Sequence, residues 1–82
     1  MLSMQKQILK LSDLLSGEQA EIVNFEDENH GLDRLGDMGL YIGTRLRIIK
    51  FAPLGDPIQI KARGFYLSIR KSLARKIVVK RK

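Results

Sequence analysis

Hydrophobic and polar positions alternate most regularly between Ile58 and Ile69. Ile58, Ile60 and Ala62 take turns with Gln59, Lys61 and Arg63, and after Gly64 the residues Phe65, Leu67 and Ile69 take turns with Tyr66, Ser68 and Arg70. Two runs of period two, parted by a single glycine, predict an antiparallel hairpin with one face in a core. Phe65 falls on that core face. The stretch before it, Pro53-Leu54-Gly55-Asp56-Pro57, holds two prolines that fix φ and a glycine that accepts positive φ, so it should reverse a strand. Asp56, set between Gly55 and Pro57, is expected to accept hydrogen bonds from the N–H groups of its own turn rather than serve as an acid or base.

The remaining pattern predicts elements that cover this hairpin. Leu11 to Gly17 reads as a short helical turn with Ser12 as N-cap, Asp13 at its positive end and Gly17 as its stop. Gln19 to Phe25 reads as a strand, with Ala20, Ile22 and Asn24 on one face against Glu21, Val23 and Phe25. His30 to Met38 reads as a short helix, because Leu32, Leu35 and Met38 recur every three residues and Gly39 suits the left-handed position that ends it. Gly31 and Gly36 each cost that helix about 1 kcal/mol of propensity, so packing must hold it. Leu40 and Ile42 extend its apolar surface to a turn at Gly43.

Thr44 to Phe51 is a further strand in which Leu46 and Ile48 alternate with Arg45 and Arg47 before Ile49 and Phe51 shift the phase. A bulge near Ile48 to Lys50 explains that shift. Lys71 to Lys76 reads as one helical turn, and Ile77-Val78-Val79 as a last strand. The expected fold is all-β with short helices, a small SH3-like, partly open β-barrel of about five strands, with an OB-like barrel as the alternative. Residues 1–10 are expected as an N-terminal lead, 11–79 as the barrel and 80–82 as a basic tail.

Composition narrows the function. At 82 residues without cysteine, the chain is one domain that must rely on its apolar core, with neither disulfides nor thiolate metal sites. The absence of cysteine agrees with a cytosolic address. No run approaches the ~20 apolar residues of a membrane span, and Gln5, Lys6, Gln7 and Lys10 interrupt the start as no signal peptide does. Up to Asp56 there are six basic and nine acidic residues, and after it nine basic and none acidic, so the halves carry −3 and +9. Such a basic half suits nucleic acid, anionic lipid headgroups or an acidic protein face.

Catalytic motifs are missing. There is no GxxxxGK[ST], and Gly36-Asp37-Met38-Gly39 lacks both the lysine and the context of a nucleotide loop. No local motif pairs His30 with a serine, so an enzyme is not expected and no cofactor is called for. Glu26, Asp27, Glu28 and His30 are the only cluster chemically suited to divalent iron or manganese. Their position at the entry to a helix accounts for them better, since exposed N–H groups and the dipole favour acids there. Tyr41, Phe51, Phe65 and Tyr66 are the rings available to stack nucleic-acid bases, and only Tyr66 stands beside exposed arginines, Arg63 and Arg70.

A set of spaced residues resembles a known family. Leu11-Ser12-Asp13-Leu14, Gly17, Ile22-Val23, Arg34-Leu35, Met38-Gly39-Leu40, Gly43-Thr44, Ala52-Pro53-Leu54-Gly55-Asp56-Pro57-Ile58, Gly64, Leu67, Arg70 and Ala74 are similar to the pattern of the FeoA family, ferrous iron transport protein A. The resemblance runs from about Leu11 to Val79. Met38, Gly39, Leu40, Pro53, Gly55, Asp56, Pro57 and Gly64 form its structural motif. It implies a cytosolic SH3-like barrel that acts as a non-catalytic regulator of FeoB, a ferrous iron permease with a cytoplasmic GTPase domain. It thereby implies a place at the inner membrane face through that partner. Transition-metal association is implied only at the level of the family, which no ligand motif defines. Related barrels end repressors of the DtxR type, but no DNA-binding helices precede the barrel here. A nucleic-acid-binding barrel is the second reading, and a homo-oligomer is left open. For the partner surface, Lys61, Arg63 and Arg70 on the polar phase of the hairpin and Lys71, Arg75 and Lys76 after it are expected to form one positive patch. Reversal of Arg63, Arg70 and Arg75 to glutamate would then abolish association with the permease.

Overall fold

The structure, a computed structural model, describes residues 9–26 and 32–82. Six strands form one antiparallel sheet: β1 (Leu9–Lys10), β2 (Gln19–Phe25), β3 (Arg45–Phe51), β4 (Ile58–Ala62), β5 (Phe65–Ile69) and β6 (Ile77–Arg81). Their order is β1-β6-β2-β3-β4-β5, with β1 and β5 at the two margins, so the sheet curls into an SH3-like barrel that is not closed. Two short helices, α1 (Leu32–Asp37) and α2 (Lys71–Ala74), and two 3₁₀ turns (Leu11–Asp13 and Pro53–Gly55) fill the connections. The strand beyond the expected five is β1, whose Leu9 and Lys10 pair with Val79 and Val78.

The β4–β5 hairpin forms as its alternation requires. Ile58 faces Ile69 and Ile60 faces Leu67, and Ile58, Ile60 and Ile69 are buried. Its two-residue turn places Arg63 at φ 54° and Gly64 at φ 85°, the pair of positive values that matches the twist of adjoining strands. Arg63 therefore belongs to the turn and not to the polar row of β4. In β3, Ile48 faces Ile60 and Lys50 faces Gln59, so Ile49 is the extra residue of a bulge at the expected place.

β2 carries a second bulge that its own pattern concealed. Ile22 faces Val79, but Asn24 faces Val78 and Phe25 faces Ile77. The extra residue, Val23, flips the phase, so Phe25 rather than Asn24 packs against the core.

α1 ends in a Schellman motif. Leu40 N–H donates to Leu35 O at 2.8 Å, Gly39 N–H donates to Gly36 O at 2.9 Å, and Gly39 sits at φ 83°. Leu40 and Leu35 are both buried, the apolar contact that accompanies such an ending. The Met38-Gly39-Leu40 motif is this cap. Ile42, expected to extend the apolar surface, is instead exposed.

The expected cap Ser12 and the expected turn-bonding Asp56 are both corrected. Ser12 lies inside its 3₁₀ turn, where the Asp13 carboxylate accepts the Lys10 N–H at 2.9 Å. The turn closes at Asp13, and Gly17 follows it with its N–H donating to Ile48 O at 2.7 Å. Asp56 serves a different element from its own turn. Its Oδ1 accepts the N–H of Lys71 at 2.9 Å, across fifteen residues, so the Pro53–Pro57 corner caps α2 where Arg70 offers no side-chain bond. Positive φ at this corner is shared by Gly55 (86°) and Leu54 (76°), whose side chain stands wholly in solvent. Asp56→Ala is expected to lower stability by about 1 kcal/mol, read in a thermal melt. A melting curve unchanged from wild type would show that the corner holds α2 without the carboxylate.

The β6 strand is longer than its β-branched run. It continues through Lys80 and Arg81, which face Glu21 and Ala20, and Lys82 N–H donates to Gln19 O at 2.9 Å.

Candidate partner-binding site

The end of α1, the loop after it and the β4–β5 hairpin enclose a groove of about 520 Å³ lined by Asp37, Met38, Gly39, Tyr41, Arg63, Phe65 and Leu67. Each wall has a local cause. Tyr41 is laid along the last turn of α1: its hydroxyl donates to Gly36 O at 2.9 Å and its N–H donates to the hydroxyl of buried Thr44 at 3.0 Å. At Gly39 an added Cβ would make only ordinary contact, 3.9 Å from the Arg63 side chain, so it is the positive φ of 83° and not space that calls for glycine there. Phe65 forms the far wall.

Phe65 corrects the expectation of a core ring, for it is 63% exposed. It pairs with buried Ala62 and so faces the same side of the sheet as the core. This is, however, the last pair before the turn, where the sheet ends and nothing lies over the ring. Alternation identified the face correctly, but only the end of the ladder decides whether that face is covered. Phe65, Tyr41 and half-buried Leu67 and Met38 thus make an apolar trough, with the Asp37 carboxylate and the Arg63 guanidinium supplying opposite charges to its lining.

The six basic residues proposed for a partner fall in two places. Lys61 and Arg63 lie at the turn end of the hairpin, with the Lys61 ammonium 5.3 Å from the Tyr66 ring centre. Arg70, Lys71, Arg75 and Lys76 lie at the other end, around α2. The five residues of β5 between them span roughly 16 Å. Of the acidic cluster considered for a metal, Glu26 pairs with Lys10 at 2.6 Å, while Asp27, Glu28 and His30 lie outside the described residues. Among the described residues no three histidine, cysteine or carboxylate side chains gather as metal ligands, and no helix is long and apolar enough to cross a membrane.

Two carboxylates respond to the basic C-terminal strand. Glu18 is held below its ordinary pKa of 4.5 by the Leu15 N–H donating to it at 2.7 Å, and then by Arg81 Nε at 2.7 Å. Glu21 is lowered chiefly by Lys82 at 3.1 Å. A folded pKa below the unfolded one adds stability above the unfolded value that is lost as pH falls through the folded one. Stability should therefore decline as pH drops below 4.5. The double variant Glu18→Gln/Glu21→Gln should flatten that limb in melts across the acid range, and an unaltered limb would assign acid sensitivity to other groups.

Comparison with known proteins agrees with this architecture. Residues 9–81 match the FeoA domain. The chain is 34% identical over 71 residues to an Fe(2+) transport protein A/Fe(2+) transporter FeoB fusion protein of Porphyromonas gingivalis, covering 87% of this chain and 8% of that one. The chain therefore spans under a tenth of that relative's length. The solution structure of FeoA from Chlorobium tepidum is similar at 40% identity with a TM-score of 0.82, over 89% of this chain and 70% of that one. The Stenotrophomonas maltophilia FeoA, crystallised with zinc and described as a procaryotic SH3 domain protein, is similar in fold at 24% identity and a TM-score of 0.75, over 88% and 89% of the two chains.

Proposed function

The chain belongs to the FeoA family, and from that premise we propose that it is a non-catalytic accessory of ferrous iron uptake that docks on a FeoB-like permease. Docking would place it at the cytoplasmic membrane face through that partner. The groove between Tyr41 and Phe65 carries this reading. An exposed phenylalanine facing a tyrosine already fixed by two hydrogen bonds offers a preorganised slot for one apolar side chain of a partner segment. Asp37 and Arg63 would orient the segment's polar groups. One carboxylate, one guanidinium and a phenol form a set suited to recognition rather than bond cleavage.

The Porphyromonas gingivalis relative supports the choice of partner, because there a similar region and a FeoB-type transporter share one chain. A covalent link supplies effective concentration, typically mM for short flexible linkers. A domain acting in trans must instead supply affinity from its surface, and exposed aromatic anchors are the economical way to do so. Copurification of the chain with the permease from detergent-solubilised membranes tests the proposal. Wild type is expected to retain the permease and Phe65→Ala to lose it; equal retention would discard the groove as the contact.

A further inference from the structure

The outward side chains of the central strands were not all visible as a group in the sequence, because strand register brings them together. Leu46, Ile48, Ile60 and Ala62 point into the core, so Arg45, Arg47 and Lys61 point out. Register sets Gln19, Arg47, Lys61 and Tyr66 in one row across β2 to β5. A second row runs Lys80, Glu21, Arg45 across β6 to β3, and beyond the β3 bulge Lys50 faces Gln59, which in turn faces Ser68. This outer face therefore holds Arg45, Arg47, Lys50, Lys61 and Lys80, with Glu21 the acid within these rows; Glu21 is paired with Lys82 and also lies in the field of Lys80 and Arg45. The ion pairs Lys10–Glu26, Arg81–Glu18 and Lys82–Glu21 include none of the five.

Arg47 directly opposite Lys61 is a like-charge cross-strand pair, an arrangement that weakens a sheet. Lys61 has the Tyr66 ring 5.3 Å away, but neither cation is paired with an acid among the described residues, and two unneutralised like charges side by side point to an anion outside the molecule. We propose that this face is a contact for anionic membrane, with Arg45, Arg47, Lys50, Lys61 and Lys80 receiving the phosphate headgroups of acidic lipids. Tyr66, 60% exposed beside them, would lie at headgroup depth with its ring apolar and its hydroxyl wet.

A nucleic-acid strand is the competing polyanion, and the rings decide against it. Stacking needs an accessible aromatic face. On this face the Tyr66 ring has the Lys61 ammonium over it, while Phe51 packs toward the core and Tyr41 and Phe65 both belong to the groove. Long basic side chains spread across an exposed sheet suit a diffuse layer of headgroups better. The inference stands apart from the permease reading, which uses the groove and not this face.

Cosedimentation of the full chain with lipid vesicles tests it. Vesicles of phosphatidylcholine containing phosphatidylglycerol should bind the chain, pure phosphatidylcholine should not, and added salt should release it. Arg47→Gln and Lys61→Gln should each reduce partitioning about fivefold and together about 25-fold. Removing the like-charge pair should leave the melting temperature level or higher, so lost binding cannot be ascribed to unfolding. If that double variant melts early, Arg45→Gln/Lys50→Gln reads the same face. The control Arg70→Gln/Arg75→Gln removes equal charge at α2 and should change partitioning less than twofold, an approximate bound set by net charge alone. Equal losses in both doubles, binding to neutral vesicles, or tighter binding to single-stranded oligonucleotides would overturn the proposal.

Discussion

Ile60→Ala is expected to remove about 3 kcal/mol of stability, within the range for deleting a buried isoleucine side chain down to its β-carbon. Ile60 is fully buried, faces Ile48 on one side and Leu67 on the other, and lies in the middle of the hairpin that joins β3 to β5. The cavity would open where neighbours on two strands are held by register and cannot close in. A domain of this size has about 4–12 kcal/mol in total, so the loss is a large share. At about 4–8 °C per kcal/mol, the melting temperature should fall by about 12–24 °C. Ile49→Ala is the contrast, since the bulge leaves that side chain only half-buried, and about 1 kcal/mol is expected. A loss below about 1 kcal/mol at Ile60 would show that the hairpin does not anchor the core.

Phe65→Ala is expected to reverse that balance, with little loss of stability and a large loss of binding. A core phenylalanine costs about 3–5 kcal/mol when cut to alanine. The ring of Phe65 is instead mostly in water, so its melt should shift by a few degrees at most, about 0.5 kcal/mol. If the groove is the docking site, Phe65 is an anchor, and truncating an anchor costs about 2 kcal/mol or more, roughly 30-fold in affinity. Tyr41→Phe should weaken binding less, because the ring stays and only the bond to Gly36 O is lost. A variant that melts early and still binds would place Phe65 in the structure and outside the contact.

Local pattern made much of the barrel legible. The alternation from Ile58 to Ile69, the phase slip between Ile48 and Phe51, and Gly39 at a helix end are short-range features, and each produced the predicted element. What escaped depends on partners far along the chain. The Val23 bulge is visible only once β2 is laid beside β6, since Asn24 and Phe25 are equally reasonable on either face until that neighbour is present. Asp56 has a turn at hand to bond, and nothing local says that the N–H of Lys71 will arrive instead. Lys80 and Arg81 look like a solvated end, yet the acids that receive this segment, Glu18 and Glu21, stand about sixty residues earlier.

The candidate site was less legible than the fold for the same reason. By sequence pattern Met38-Gly39-Leu40 is a helix ending, which the structure bears out, and Phe65 is core, which it does not. Only the juxtaposition of α1 with the hairpin turn makes their neighbourhood a groove. Along the sequence Arg45 and Arg47 are the polar phase of one strand. Register with β4 and β6 turns them into part of a charged face.

The proposed recognition of the permease rests on the trough between α1 and the β4–β5 hairpin. An amide-resolved NMR titration of the chain with the cytoplasmic domain of a FeoB-like permease examines that directly. Shifts concentrated at Asp37 to Tyr41 and Arg63 to Leu67, and absent with Phe65→Ala, are the predicted result. Shifts confined to α2 and the Pro53–Pro57 corner, or saturable binding that leaves the trough unperturbed, would contradict it.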